Sequence, residues 1–380
     1  MDLLIRILKA FWQGATHKTV LQMTAIFILA GAFAGIAGQI GAVDATVAAT
    51  LRLLPAKMLY AGLFLTSCII SFSVGTSVGT IVAVTPIAAG IAADTGVGLP
   101  FMVGIVVGGA FFGDNLSFIS DTTLAATKAL RVEMKDKFKA NILTVLPAVI
   151  LCLAIYLIAG FKADMIIPEL SQPQLSRLIP YILVIVLALC GVNVLKILGI
   201  GIIACVIVGL VYPADAAHTV ARISGDMAMG AWHGVLGMTE VIIVALVAGG
   251  ALNVIKEVGW FDAFVNALLK VVNGQRGAMA VIAAMVSVVN MMTANNTVAI
   301  LTVGGVAYDI ASKFKLDPRQ TAGILDMFSC LTQSLLPYGA QLLMASALAG
   351  ISAVGIIPWL FYPMLMGICA IISILRLPKA

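Results

Sequence analysis

Gly113-Asp114-Asn115-Leu116-Ser117-Phe118-Ile119-Ser120-Asp121-Thr122-Thr123 is the stretch on which the fold turns. Its two carboxylates, with hydroxyl and amide side chains between and beside them, interrupt an apolar run that begins near Phe101 and resumes from Leu124 to Ala129. Ionisable groups inside a membrane-length segment are costly, so each marks a candidate functional position. The pattern predicts a transmembrane helix broken in its middle, with the break serving as an ion site.

The surrounding composition agrees. Of 380 residues, 62% are hydrophobic and only 10% charged, with mean hydropathy +1.12. Soluble domains carry about 25% charged residues, so the chain is expected to be an all-α, multi-pass membrane protein whose main partner is the lipid bilayer. Met1 to Lys18 form a short amphipathic stretch with Arg6, Lys9 and Lys18, and show no small-residue cleavage pattern. The net charge of +5 calls for no nucleic-acid partner, because cytoplasmic loops of membrane proteins already favour Lys and Arg. Cys68, Cys152, Cys190, Cys205, Cys330 and Cys369 all fall in apolar segments without CxxC spacing, and His17, His218 and His233 are scattered. No cofactor, resident metal or disulfide is expected from them.

The sequence repeats itself. Thr76, Thr80 and Thr85 recur as Thr293, Thr297 and Thr302, and Leu99, Phe111 and Ser117 as Leu316, Phe328 and Ser334, all at an offset of 217. Gly41 and Asp44 recur as Gly259 and Asp262 at 218. The chain therefore divides into a first unit (1–161), a linking segment with a helical hairpin (162–218) and a second unit (219–380). Each unit offers an amphipathic stretch, a full span and a long apolar segment with a polar centre. An interrupted segment and a closing span complete it. The polar centres are Gly75-Thr76-Ser77 in the first unit and Thr293-Ala294-Asn295-Asn296 in the second.

Charge counting favours a topology in which both polar-centred segments are re-entrant hairpins. In that case 17 Lys/Arg fall on the side of the termini and 5 on the other, which places both termini in the cytoplasm of a cell-membrane protein. Five crossings then separate the starts of the two units, so they face opposite ways. Inverted repeats with broken helices are the architecture of secondary transporters, with the site at the midplane.

Non-helical backbone at membrane depth survives only where protein or a water-filled cavity satisfies it, so the four breaks should meet. Their oxygen-rich chemistry suits a hard cation such as Na⁺. Asp114 is expected to close the first half-helix, where the C-terminal dipole disfavours a carboxylate, which suits a group alternating between H⁺ and Na⁺. Asp121 is expected to open the second half-helix as either a site residue or an N-cap. Thr76, Ser77, Asn295 and Asn296 either ligate or cap their hairpins. Asp326 either titrates or pairs with a backbone carbonyl. At the 217 offset Asp114 meets Leu331 and Asp121 meets Tyr338, so the charge is asymmetric, and no Lys or Arg is expected in the core. Asn115, Ser117, Thr332 and Ser334 complete the candidate set, with Asp114 and Ser117 as Na⁺ ligands.

Gly113-Asp114-x-x-Ser117-x-x-Ser120-Asp121-Thr122-Thr123 resembles the Gly-Asp-x-x-Ser-Pro-x-Ser-Asp-Thr-Thr motif of NhaC-type Na⁺/H⁺ antiporters. Gly75-Thr76-Ser77-Val78-Gly79-Thr80 is similar to that family's Gly-Thr-Ser-Trp-Gly-Thr, and Thr332-x-Ser334-Leu335-Leu336-Pro337-Tyr338 to its Thr-Ser-Pro-Leu-Ile-Pro-Trp. Phe118 stands for the motif's proline, Val78 for its tryptophan and Gly339 for an asparagine. The resemblance implies the ion-transporter fold with re-entrant hairpins, a homodimer in many members, and Na⁺ and H⁺ as transported ions. It also implies an alternative, a Na⁺- or H⁺-coupled carrier of a small organic anion or amino acid. A channel would need a continuous polar pore and an intramembrane enzyme a catalytic set, and the sequence offers neither.

Overall fold

The computed structural model describes residues 2–53, 55–74, 76–117, 120–163, 174–190, 192–213, 220–257 and 274–378. Gly259 and Asp262, and parts of the linking segment, lie outside them. Among the described residues there is no β-strand. The helices run α1 (Asp2–Ala15), α2 (Lys18–Gln39), α3 (Ala42–Leu53), α4 (Leu59–Val74), α5 (Ser77–Thr95) and α6 (Leu99–Leu116). Next come α7 (Asp121–Leu130), α8 (Met134–Lys162), α9 (Ile179–Leu189), α10 (Val194–Val211), α11 (Val220–Gly237) and α12 (Thr239–Glu257). The last are α13 (Gly274–Thr293), α14 (Asn296–Lys313), α15 (Pro318–Leu335), α16 (Ala340–Ala349), α17 (Ala353–Ile356) and α18 (Phe361–Leu375).

Among the described residues seven helices are long and apolar enough to cross a membrane, or up to nine if each sharply bent pair is one span. The protein is thus a multi-pass membrane protein. One arm of each predicted hairpin, α5 and α13, has full spanning length.

The predicted breaks are present in both halves. α6 stops at Leu116 and α7 starts at Asp121, while α15 stops at Leu335 and α16 starts at Ala340. Each broken helix follows a helix pair with a sharp tip, Thr76 before α5 and Asn295 before α14, both extended. Side chains in the break compete with the helix for backbone partners. Asn295 caps α14 by accepting from the Val298 N–H (3.0 Å), and Asp317 caps α15 by accepting from the Arg319 N–H (2.9 Å).

The repeat's register differs from the expected one. α5, α6 and α7 begin at Ser77, Leu99 and Asp121, and α14, α15 and α16 at Asn296, Pro318 and Ala340, a shift of 219 in every case. The 217 offset follows matching threonines and apolar residues, but the helix starts fix the geometry. Asp114 therefore stands opposite Gln333, not Leu331, and Asp121 opposite Ala340, not Tyr338.

Small residues set the close approaches, as they do between membrane helices generally. α4 lies along α6, with Ser67 against Gly109 and Ser71 against Gly113; the Ser71 hydroxyl donates to the Ala110 carbonyl (2.5 Å). α2 and α11 cross with Gly31 and Gly35 against Gly234 and Gly230. α1 packs on α12, where Asn253 donates to the Ala10 carbonyl (2.7 Å). α6 and α7 are enclosed, with 94% of their apolar window buried, whereas α8 shows most of its surface outward. The broken helix is the centre of the molecule.

Candidate ion-binding site

Both tips and both breaks open on one cavity of about 540 Å³. Thr76, Ser77, Asp114, Asp121, Asn295 and Asn296 line it, as the sequence predicts for breaks that meet. Five helices present their N-terminal ends to it: α5 at Ser77, α7 at Asp121, α10 at Val194, α14 at Asn296 and α16 at Ala340. Among the described lining residues there is no Lys, Arg or His.

Asp114 sits in the last turn of α6, 5% exposed, as expected. Its carboxylate, however, reaches across to α5. One oxygen accepts from the Ser77 N–H (2.8 Å) and the other from the Ser77 hydroxyl (2.6 Å). The α5 N-terminus thus offsets the unfavourable end of α6, because helix N-termini favour negative charge. The Asp114 carbonyl accepts from the Thr122 hydroxyl (2.7 Å), which ties the two half-helices together across the break. Asn296, 7% exposed, turns its side-chain amide towards the same carboxylate.

A relay of amides joins this carboxylate to the other half. Gln341 Nε2 donates to the Ser77 hydroxyl (3.0 Å), and Gln341 Oε1 accepts from Gln333 Nε2 (2.9 Å). Gln333 Nε2 also donates to the Ala294 carbonyl (3.0 Å). Ala294 holds φ at 47°, the left-handed conformation that a non-glycine residue rarely adopts, so Gln333 braces a strained tip. Gln333 and Gln341 escape the motif reading. The signal for Gln341 is a glutamine in a half-helix apolar but for Ser346, and for Gln333 its place opposite Asp114 at the 219 register.

The remaining candidates divide. Asp121 is exposed on the cavity wall in the first turn of α7, one residue after the N-cap Ser120. Asn115 is fully buried behind the cavity and accepts from Asn141 Nδ2 at its side-chain oxygen (2.9 Å). Ser117 donates to the Phe72 carbonyl (2.6 Å) and does not line the cavity, so the fold does not bring it together with Asp114 around one ion. Thr332 is 6% exposed inside α15, and Ser334 bonds back to the Leu331 carbonyl (2.7 Å); neither lines the cavity.

Asp326 corrects the expectation that no Lys or Arg enters the core. Lys137, one of the 17 Lys/Arg that charge counting puts on the side of the termini, is 1% exposed and forms an ion pair with the fully buried Asp326. Its ammonium also donates to the Asn115 carbonyl (2.6 Å) and the Thr123 hydroxyl (3.0 Å). Asp326 is paired with Lys137, not with a backbone carbonyl. A lysine in the first turn of a helix after a charged loop looks solvated in sequence; only the packing of α8 on α15 and α7 turns it inward.

A family model described as the Na⁺/H⁺ antiporter family matches residues 4–161 and 169–377. The chain belongs to that family. Among its relatives is the Na⁺/H⁺ antiporter NhaC of Bacillus subtilis, 26% identical over 93% of this chain and 86% of that one. The arginine/ornithine antiporter ArcD of Halobacterium salinarum is 23% identical over 95% of this chain and 80% of that one. A malate-2H⁺/Na⁺-lactate antiporter of Bacillus subtilis is 23% identical over 81% and 70%. Family membership makes the chain a membrane transporter.

Proposed function

We propose that this transporter exchanges Na⁺ for H⁺ by alternating access, with Asp114 binding one ion or the other in turn. The observation that carries the proposal is the Asp114 carboxylate itself. It is buried at the meeting point of both tips and both breaks, open to the cavity and held by the α5 N-terminus. Ser77, Thr76 and Asn296 lend oxygens around it, and Asp121 adds a second negative charge on the wall. In this reading 1–161 and 219–380 are oppositely oriented units joined by 162–218, with re-entrant tips. Both termini face the cytoplasm of a cell-membrane protein that works as a homodimer. The relatives named as Na⁺/H⁺ antiporters support the ion pair exchanged.

One observation favours a second reading. The cavity is far larger than a dehydrated cation needs, within the roughly 300–1,000 Å³ of small-molecule sites. Five helix N-termini around it suit a carboxylate group, while Asp114 and Asp121 suit a cation or an ammonium. A cation-coupled carrier of an amino acid or small organic anion fits those features.

Vesicles carrying an internal pH dye separate the two. A Na⁺ gradient that drives proton movement in wild type, and not in Asp114→Asn, supports antiport. A proton response that requires an added amino acid or carboxylate supports the carrier. Absence of any Na⁺ response in vesicles that do move a solute overturns the antiporter.

A further inference from the structure

We propose that the Lys137 ammonium is a tethered cation, occupying a second monovalent-cation site that the fold builds but that no free ion uses. Three elements supply oxygens to it: the Asn115 carbonyl at the end of α6 (2.6 Å), the Thr123 hydroxyl in the first turn of α7 (3.0 Å) and the Asp326 carboxylate in α15. A carbonyl, a hydroxyl and a carboxylate around one positive charge form the donor set that a hard cation takes. The Asn115 carbonyl belongs to a helix C-terminus, where carbonyls lack helical partners and cations are favoured.

A further oxygen lies beside the cage. Asn141, one turn beyond Lys137 on α8, donates to the same Asn115 carbonyl (3.1 Å), and its own Oδ1 finds no donor although the residue is 1% exposed. A lysine stem can carry a charge into this cage but cannot be released from it. Among the described residues there are therefore two buried carboxylates and one exchangeable position: Asp114 opens on the cavity, and Asp326, outside the cavity lining, is neutralised by its own chain.

Removing the ammonium exposes the cage. Asp326 is left as an uncompensated buried charge, which is strongly destabilising, and the space of the lysine stem opens beside three oxygens. A free Na⁺ is expected to enter. The test reads binding, not transport, so its outcome is independent of whether Asp114 carries the transported ion.

Thermal unfolding of the purified full chain is followed in sodium chloride and in choline chloride at equal ionic strength, for wild type and Lys137→Ala. Wild type defines the sodium shift due to the cavity. Lys137→Ala is expected to melt lower than wild type in choline and to gain an additional, saturable increment in sodium. A ligand present at a hundred times its Kd raises the midpoint of a protein this size by about 3 °C. Lys137→Ala with Asp326→Asn loses the increment. If Lys137→Ala is not recovered folded, Lys137→Gln, which keeps two donors over the Asn115 carbonyl, is measured in the same way. A melting midpoint no more sodium-dependent than that of wild type overturns the proposal, as does failure of both variants to fold in sodium.

Discussion

Gly113→Ala tests whether the small-residue seam between α4 and α6 sets the geometry of the ion site. A Cβ at Gly113 falls 2.1 Å from the Ser71 hydroxyl oxygen and 2.2 Å from the Ser71 carbonyl carbon. The hydroxyl can rotate away, but the backbone carbon cannot. Carbon atoms pack at about 3.5 Å, so α6 must retreat from α4 by about 1.3 Å. Asp114 is the next residue and moves with it. Its bonds to Ser77, 2.6 and 2.8 Å, then open to about 4 Å, beyond hydrogen-bond range. Overpacking of this kind costs about 1–3 kcal/mol of stability, and a misplacement near 1 Å at a reacting group costs about a hundredfold in rate. The expected result is a melting midpoint several degrees lower and ion flux reduced by about two orders of magnitude at matched protein. Adding Ser71→Gly removes the hydroxyl clash and leaves the backbone one, so flux stays low. Gly199→Ala, with nothing within 4 Å of the added carbon, serves as the neutral control. Wild-type flux and melting in Gly113→Ala would refute the geometry.

Gln341→Leu strips the donor from Ser77 and the acceptor from Gln333, and is expected to lower initial rates about tenfold at all Na⁺ concentrations, a loss near 1.4 kcal/mol. Gln341→Glu keeps the acceptor half and should lose less; equal rates for all three proteins would sink the relay. Arg6→Ala removes a pair whose side chains are 67% and 50% exposed, so the melting midpoint should move by less than about 1 kcal/mol equivalent. Asp317 is partly buried, which pushes its carboxyl up, but hydrogen bonds and charge from Arg319 outweigh burial and hold it below the usual range. Its cap contribution, about 1 kcal/mol, is therefore fully present above the ordinary carboxyl value and lost as pH falls through the lowered one. Asp317→Ala should accordingly melt lower than wild type at neutral pH, and the gap should close in strong acid. A pH-independent gap would show that the carboxylate's charge is not what caps α15.

The sequence made the breaks legible because nothing else explains carboxylates and hydroxyls inside membrane-length apolar runs. Asp114, Ser77 and Asn296 could be read in this way, each lying where a half-helix starts or ends. Register was harder. Matching threonines at 217 point to Leu331, whereas the helix starts at 219 put Gln333 opposite Asp114. Two residues are within the drift that small apolar segments tolerate in sequence but not in space. Lys137 was illegible for another reason, since its partner Asp326 lies 189 positions away and only packing joins them. The corrected register also gives the asymmetry a chemical sense. Opposite the first tip stands a carboxylate, which accepts from a backbone N–H at a helix start; opposite the second stands an amide, which donates to the Ala294 carbonyl. A carboxylate in place of Gln333 could not donate to that carbonyl when ionised, and it would add a third negative charge to the two, Asp114 and Asp121, that already line the cavity. The glutamine keeps the shape and the reach while leaving Asp114 as the one charged brace between the tips.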